Sequence, residues 1–184
     1  MSDWVPFGAD GHEVAWVTPD GDAAETVTIG WDNEAWTVSG RLADSRVEYV
    51  IRLSPTWRVR QFLLFRDLPE PDLWLATDGH GRWGEINGAH RTELDGCDDL
   101  DVTGATFPVT IPIRRLPLAV GDAAELPVIT VDVETLAAVT ATRRYTRLGE
   151  RRWRRWRSED GDGEEFDLDD HGLVIAHPGR IVRA

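Results

Sequence analysis

The sequence predicts an all-β protein, a sheet, barrel or sandwich. Three observations carry this expectation. Apolar and polar residues alternate at period two through most of the chain. Turn signals rich in Gly, Pro, Asp and Ser recur at intervals of roughly 8–12 residues. No stretch keeps helical spacing beyond a short turn.

The strands follow in order. Glu13 to Thr18 places Val14 and Trp16 on one face, and Pro19-Asp20-Gly21-Asp22 turns the chain. Glu25 to Trp31 alternates Val27, Ile29 and Trp31, and Trp36 to Leu42 puts Trp36, Val38 and Leu42 on one side. Arg46 to Ser54 is the clearest strand, with Val47, Tyr49, Ile51 and Leu53 facing one way. Trp57 to Arg66 pairs with it across Ser54-Pro55-Thr56. There Trp57, Val59, Leu63 and Phe65 share a face, with Phe62 and Leu64 on the other. Leu73 to Thr77 and Arg82 to Asn87 flank the turn Asp78-Gly79-His80-Gly81.

Next comes the stretch around which the chain is organised, Leu94 to Leu116. It holds the single cysteine, four acids, two prolines and the pair Arg114-Arg115. Its Val, Ile and Thr content reads as strand, turn, strand. Cys97 points to a buried position, and buried acids need cationic partners. Leu126 to Asp132 and Ala137 to Leu148 are further strands, with short helical turns expected at Gly121 to Leu126 and Val133 to Val139. Phe166 to Asp169 and Leu173 to His177 form the last hairpin around Asp170-His171-Gly172.

From Arg143 to Arg157 there are eight arginines and one acid; from Glu159 to Asp170 there are eight acids and no base. A hairpin through Asp160-Gly161-Asp162-Gly163 with opposite charges across its strands accounts for both. The acids would neutralise the basic run, so no nucleic acid is expected as partner. The run Asp160, Asp162, Glu164 has the alternation of a calcium loop, but Gly161 and Gly163 fall out of register, so it reads as a solvated acidic turn.

At 184 residues the chain reads as one domain, 1–184. Net charge is -13 and every one of the 20 basic residues is Arg. Missing Lys alone would follow from a GC-rich genome; the 33 acids point further, to a salt-adapted, halophilic setting. No apolar run reaches the roughly 20 residues needed to cross a bilayer. The acidic N-terminus lacks a basic and then apolar leader, and a single Cys allows no intrachain disulfide. The expected location is cytoplasmic, without stable membrane insertion. No P-loop, G-x-G-x-x-G or G-x-S-x-G is present, and the five histidines show no metal-ligand spacing, so no cofactor and no metal are expected. Asp95, Asp99 and Asp101 are the carboxylates for acid–base work if this is an enzyme. The stronger reading pairs them with Arg114 and Arg115 as structural ion pairs. Nine Trp supply wide apolar surfaces for a core or a ligand cavity.

Leu94-Asp95-Gly96-Cys97, then Asp99 and Asp101, Phe107, and Ile111-Pro112-Ile113-Arg114-Arg115-Leu116 resemble the signature of the bacterial and archaeal putative glycolipid-binding family. Supporting matches are W-x-V-R at Trp57 to Arg60, D-G-x-G-x-W at Asp78 to Trp83, Y-T-R-L at Tyr145 to Leu148, and D-x-x-G-L-V at Asp169 to Val174 before Pro178-Gly179. They run in order from about residue 45 to the C-terminus. The chain departs from the family at Val109, where an Asn is usual, and at Ala176-His177, where the family has Asp-Tyr. The resemblance implies a large curved antiparallel sheet with few short helices, a half-open barrel like those of lipoprotein carriers. It also implies a cavity for a glycolipid or fatty-acyl ligand and no catalysis. Trp57, Trp83 and Tyr145 would line that cavity, with Asp99 and Asp101 beside it. Arg114, Arg115 and Arg147 would meet the headgroup, since the guanidinium fork suits phosphate and carboxylate. An enzyme using Asp99 or Asp101 in the same cavity, or a protein-interaction module, are the alternatives.

Overall fold

Each turn signal in the N-terminal half reverses the chain into an antiparallel neighbour. A computed structural model describes residues 4–8, 10–43, 46–158, 163–177 and 179–184. In it β1 (His12–Val17), β2 (Ala23–Asp32), β3 (Ala35–Leu42), β4 (Glu48–Leu53), β5 (Val59–Phe65), β6 (Leu73–Thr77) and β7 (Trp83–Glu85) form a meander. Asn33 and Glu34 take positive φ (49° and 57°) and close the two-residue β2–β3 turn, whose twist matches the strands it joins. The C-terminal half repeats the device with β9 (Ala123–Val131), β10 (Ala138–Arg147), β11 (Arg152–Arg157), β12 (Glu164–Leu168), β13 (Val174–His177) and β14 (Ile181–Arg183). Strand β14 pairs with β1, so the two halves join into one large curved sheet, with 14 strands among the described residues.

The all-β expectation holds, with two corrections. Among the described residues the sheet does not close, so it is not a barrel. Nor is it purely antiparallel: β8 (Asp99–Val102) runs parallel to β9 at the sheet's edge. A parallel pair needs a crossover between its strands. Residues 103–122 supply it, which is why the second half of the organising stretch is helical rather than extended. A 3-10 turn at Phe107–Val109 leads into helix α1 (Thr110–Arg115). Pro108 and Pro112 sit in the first turn of each piece, where a missing N–H costs nothing, whereas each would remove a ladder bond from a strand. The turn expected at Gly121 to Leu126 is likewise strand from Ala123 onward.

The clearest strand is buried as expected, with Val47, Tyr49, Ile51 and Leu53 all inward. On β5 the expected grouping of Trp57 and Val59 with Leu63 and Phe65 does not hold. Arg52 pairs with Gln61 but Leu53 with Val59, so Arg60 is an extra residue in a bulge. The bulge switches parity, and Phe62 and Leu64 face the core while Leu63 and Phe65 are half-buried. Trp31, at the end of β2, is exposed and stands edge-on to Trp36. The charge-segregated stretch forms the expected hairpin: Arg152 pairs with Asp167 and Arg154 with Glu165 in register. Asp160, Gly161 and Asp162 of its turn lie outside the described residues, as does Pro178 of the C-terminal motif.

Tyr49 lies over Gly40, its cross-strand partner. A Cβ at Gly40 would sit 2.0 Å from Tyr49 Cζ. Gly40→Ala is therefore expected to destabilise by about 1–3 kcal/mol through overpacking, read as a lower midpoint in urea unfolding. An unchanged midpoint would mean the ring moves aside freely.

Candidate functional site

The inward parity of four C-terminal strands brings charge into the interior. Arg143 on β10 and Arg155 on β11 are 3% and 4% exposed, so their charges require partners. Asp101 on β8 accepts from Arg143 Nε and Arg155 Nη1, both at 3.2 Å. Glu164 on β12 accepts from Arg155 Nε at 3.1 Å, Arg157 Nη2 at 3.2 Å and Arg180 Nη1 at 2.8 Å. Arg155 thus bridges two carboxylates, and Phe166 covers its guanidinium at 5.6 Å. Burial alone would raise the Glu164 carboxyl. His177, 3.6 Å away, and the Arg155 and Arg157 guanidiniums reverse this and hold it well below the usual carboxylate range. These groups line a cavity of about 500 Å³. Val102, Val109, Val131, Val139, Val174 and Ile181 make its apolar walls.

The crossover closes one side through Gly104, Ala105, Thr106 and Val109. It is pinned by Glu25 of β2, which is 1% exposed. One Glu25 oxygen accepts the backbone N–H of Thr106 at 2.6 Å and of Phe107 at 3.2 Å; the other accepts the Tyr49 hydroxyl at 2.5 Å. Burial is the largest influence on this carboxyl and pushes it up to about 7 against the hydrogen bonds. Burial also raises the Tyr49 hydroxyl well above its ordinary value, so it remains a donor.

A second cavity, about 390 Å³, is lined by Trp4, Pro6, Trp36, Pro55, Thr56, Trp57, Arg114 and Arg115. The Arg114 guanidinium lies over two rings, 4.5 Å from the Phe7 centroid and 4.4 Å from that of Trp57. Its Nη1 donates to the carbonyls of His171 and Val5. Arg115 pairs with Asp99 of β8, which is 1% exposed; burial raises the Asp99 carboxyl, with Arg115 acting against it.

The residues singled out in the sequence therefore divide. Asp101 lines the larger cavity; Trp57, Arg114 and Arg115 line the smaller one; Asp99 holds Arg115. The expected pairing of acids with the twin arginines is found for Asp99 and Arg115 only, because Asp101 meets Arg143 and Arg155 instead. Tyr145 is buried among Trp4, Ile113 and Trp153, next to the charged cluster, and burial raises its hydroxyl. Trp83 packs in the core and donates its indole N–H to the Cys97 carbonyl at 2.9 Å. Arg147 donates to the Leu118 carbonyl at 2.8 Å and the Glu150 carbonyl at 3.3 Å. Reading the sequence missed Arg143, Arg155 and Glu164. Parity was the available signal: Arg155 shares it with Trp153, and Glu164 with Phe166 and Leu168.

The solved structures include a similar one, a crystal structure of a DUF1089 family protein from Pseudomonas aeruginosa. It is 27% identical, covers 88% of this chain and 92% of its own, and superposes with a TM-score of 0.74. A comparison with curated proteins finds no match. A family model described as "Putative glycolipid-binding" matches residues 13–183, nearly the whole chain. The chain belongs to this "Putative glycolipid-binding" family.

Proposed function

We propose that the protein binds an amphipathic lipid or glycolipid in the larger cavity and does no chemistry on it. The observation that carries this is the cavity's mixed lining: valine and isoleucine side chains together with arginines held by Asp101 and Glu164. Its volume of about 500 Å³ lies within the range of small-molecule sites. Apolar walls suit an acyl chain, and each buried CH₂ contributes about 0.8 kcal/mol. Arginines whose forks are already oriented suit a headgroup phosphate, carboxylate or hydroxyl. Asp101 is engaged by Arg143 and Arg155, and Asp99 is engaged by Arg115 and is not among the residues lining this cavity, which supports binding over acid–base work there. The family description, which names glycolipid binding, agrees.

Native mass spectrometry of protein purified in high salt, followed by organic extraction, tests the reading. A stoichiometric lipid in the wild type is expected. Val139→Trp, which fills the cavity from a half-exposed wall position, is expected to lower lipid occupancy at least about tenfold. A lipid retained equally by both proteins would move the site elsewhere.

A further inference from the structure

We propose that the smaller cavity is a second, independent binding site, for a sugar bearing a carboxylate or phosphate. The anion would rest on Arg114 and the ring against Trp36 and Trp57. This stands apart from the lipid reading of the larger cavity and does not require it.

The first argument is an uncompensated charge. Arg114 is 9% exposed, yet among the described residues no carboxylate pairs with it and its Nε has no hydrogen-bond partner. Its Nη1 contacts are neutral carbonyls. The nearby acid, Asp169, already accepts from Arg183 Nη1 at 2.5 Å and from the backbone N–H groups of His171 and Leu173. Burying a cation without an anion is costly, and elsewhere this protein avoids it: Arg115, Arg143 and Arg155 all have carboxylate partners. Burial accordingly draws Arg114 down to about 10. An anion in the cavity that Arg114 lines would complete the pair.

The second argument is the wall chemistry. Three indoles and two prolines are among the eight residues that line the cavity with that cation. Flat apolar faces with a charged group at one end suit the apolar face of a pyranose better than they suit an acyl chain. The aromatic surface continues outward, since Trp31 is 44% exposed and stands 4.9 Å from Trp36, edge to face. Trp57 supports the design as well. It takes φ +63°, strained for so bulky a residue, and is held there by its N–H bond to the Ser54 carbonyl at 3.0 Å. That conformation keeps its ring on Arg114.

The test uses isothermal titration and saturation-transfer NMR with glucuronate, glucose 1-phosphate, neutral glucose and octyl glucuronide below its micelle concentration. Wild type should bind both charged sugars saturably, and glucose at least about tenfold more weakly. Arg114→Met and Trp36→Ala, each confirmed folded by circular dichroism, should each lose about tenfold or more. Val139→Trp should leave these affinities unchanged. Binding of octyl glucuronide but not glucuronate, lost in Arg114→Met, would support the site and name a lipid headgroup as the anion's source. Equal binding by wild type and Arg114→Met, no saturable binding of any charged probe, or loss in Val139→Trp would overturn the proposal.

Discussion

Glu164→Ala is expected to destabilise the protein by about 3–5 kcal/mol, because it leaves Arg155 and Arg157 short of a buried partner. For a chain of this size that is a fall in Tm of roughly 10 °C, read by calorimetry. The neighbouring Glu165→Ala provides the contrast. Glu165 also joins two arginines, Arg152 and Arg154, but those side chains are 60% and 45% exposed. Its loss is expected to stay within about 1 kcal/mol. The pH dependence adds a second check. The Glu164 carboxyl is held below its ordinary value of 4.5 in the folded state. Its contribution is therefore complete above 4.5 and fades as pH falls below it, so wild type and Glu164→Ala should converge in acid. Equal losses in the two alanine variants would mean that water reaches the interior cluster as freely as the surface pairs.

Glu25 is expected to act in the opposite direction. Its carboxyl has an ordinary value of 4.5 and is raised to about 7 when folded. Between these values the folded chain holds a proton that the unfolded chain has lost. Stability from this group is thus fully present below 4.5, falls as pH rises towards 7, and levels off beyond it. At about 1.4 kcal/mol per pH unit, the fall amounts to about 3 kcal/mol. Glu25→Gln keeps an acceptor for the Thr106 and Phe107 amides and removes the charge, so it should remove this slope. Urea unfolding of both proteins at pH 5 and pH 8 measures it. The variant should gain about 3 kcal/mol on the wild type between the two conditions. Parallel behaviour would show that Glu25 ionises without cost. Glu25 also pins the crossover beside the larger cavity.

Much of the sheet was legible from alternation alone, because one buried face imposes a period of two on every strand. That is why Val14 with Trp16, Val27 with Ile29, and Val47, Tyr49, Ile51 and Leu53 group on common faces, which are the buried ones. The signature residues from Leu94 to Leu116 likewise pointed to the family. Local pattern could not reveal the Arg60 bulge, since one extra residue changes facing without changing composition. Nor could it tell that Ile111-Pro112-Ile113 forms a helix. β-Branched residues favour strands locally, and only the parallel pairing of β8 with β9 demands a crossover there.

The candidate site divides along the same line. Spacing brought Asp99 and Asp101 onto one strand face and suggested arginine partners. Which arginines they met depended on which elements lay opposite: helix α1 for Asp99, strands β10 and β11 for Asp101. The basic run from Arg143 to Arg157 reads in the sequence as part of a hairpin with opposite charges across its strands, and alternation does not say which arginines face solvent. Arg152 and Arg154 face outward, while Arg143 and Arg155 turn inward with Trp153. Residue type favours the surface for every arginine. Only tertiary pairing with Asp101 and Glu164, remote or across the hairpin, makes the interior tolerable for two of them. Alternation is a local property and survives in the chain; charge compensation joins distant residues, so it exists only once the sheet has formed.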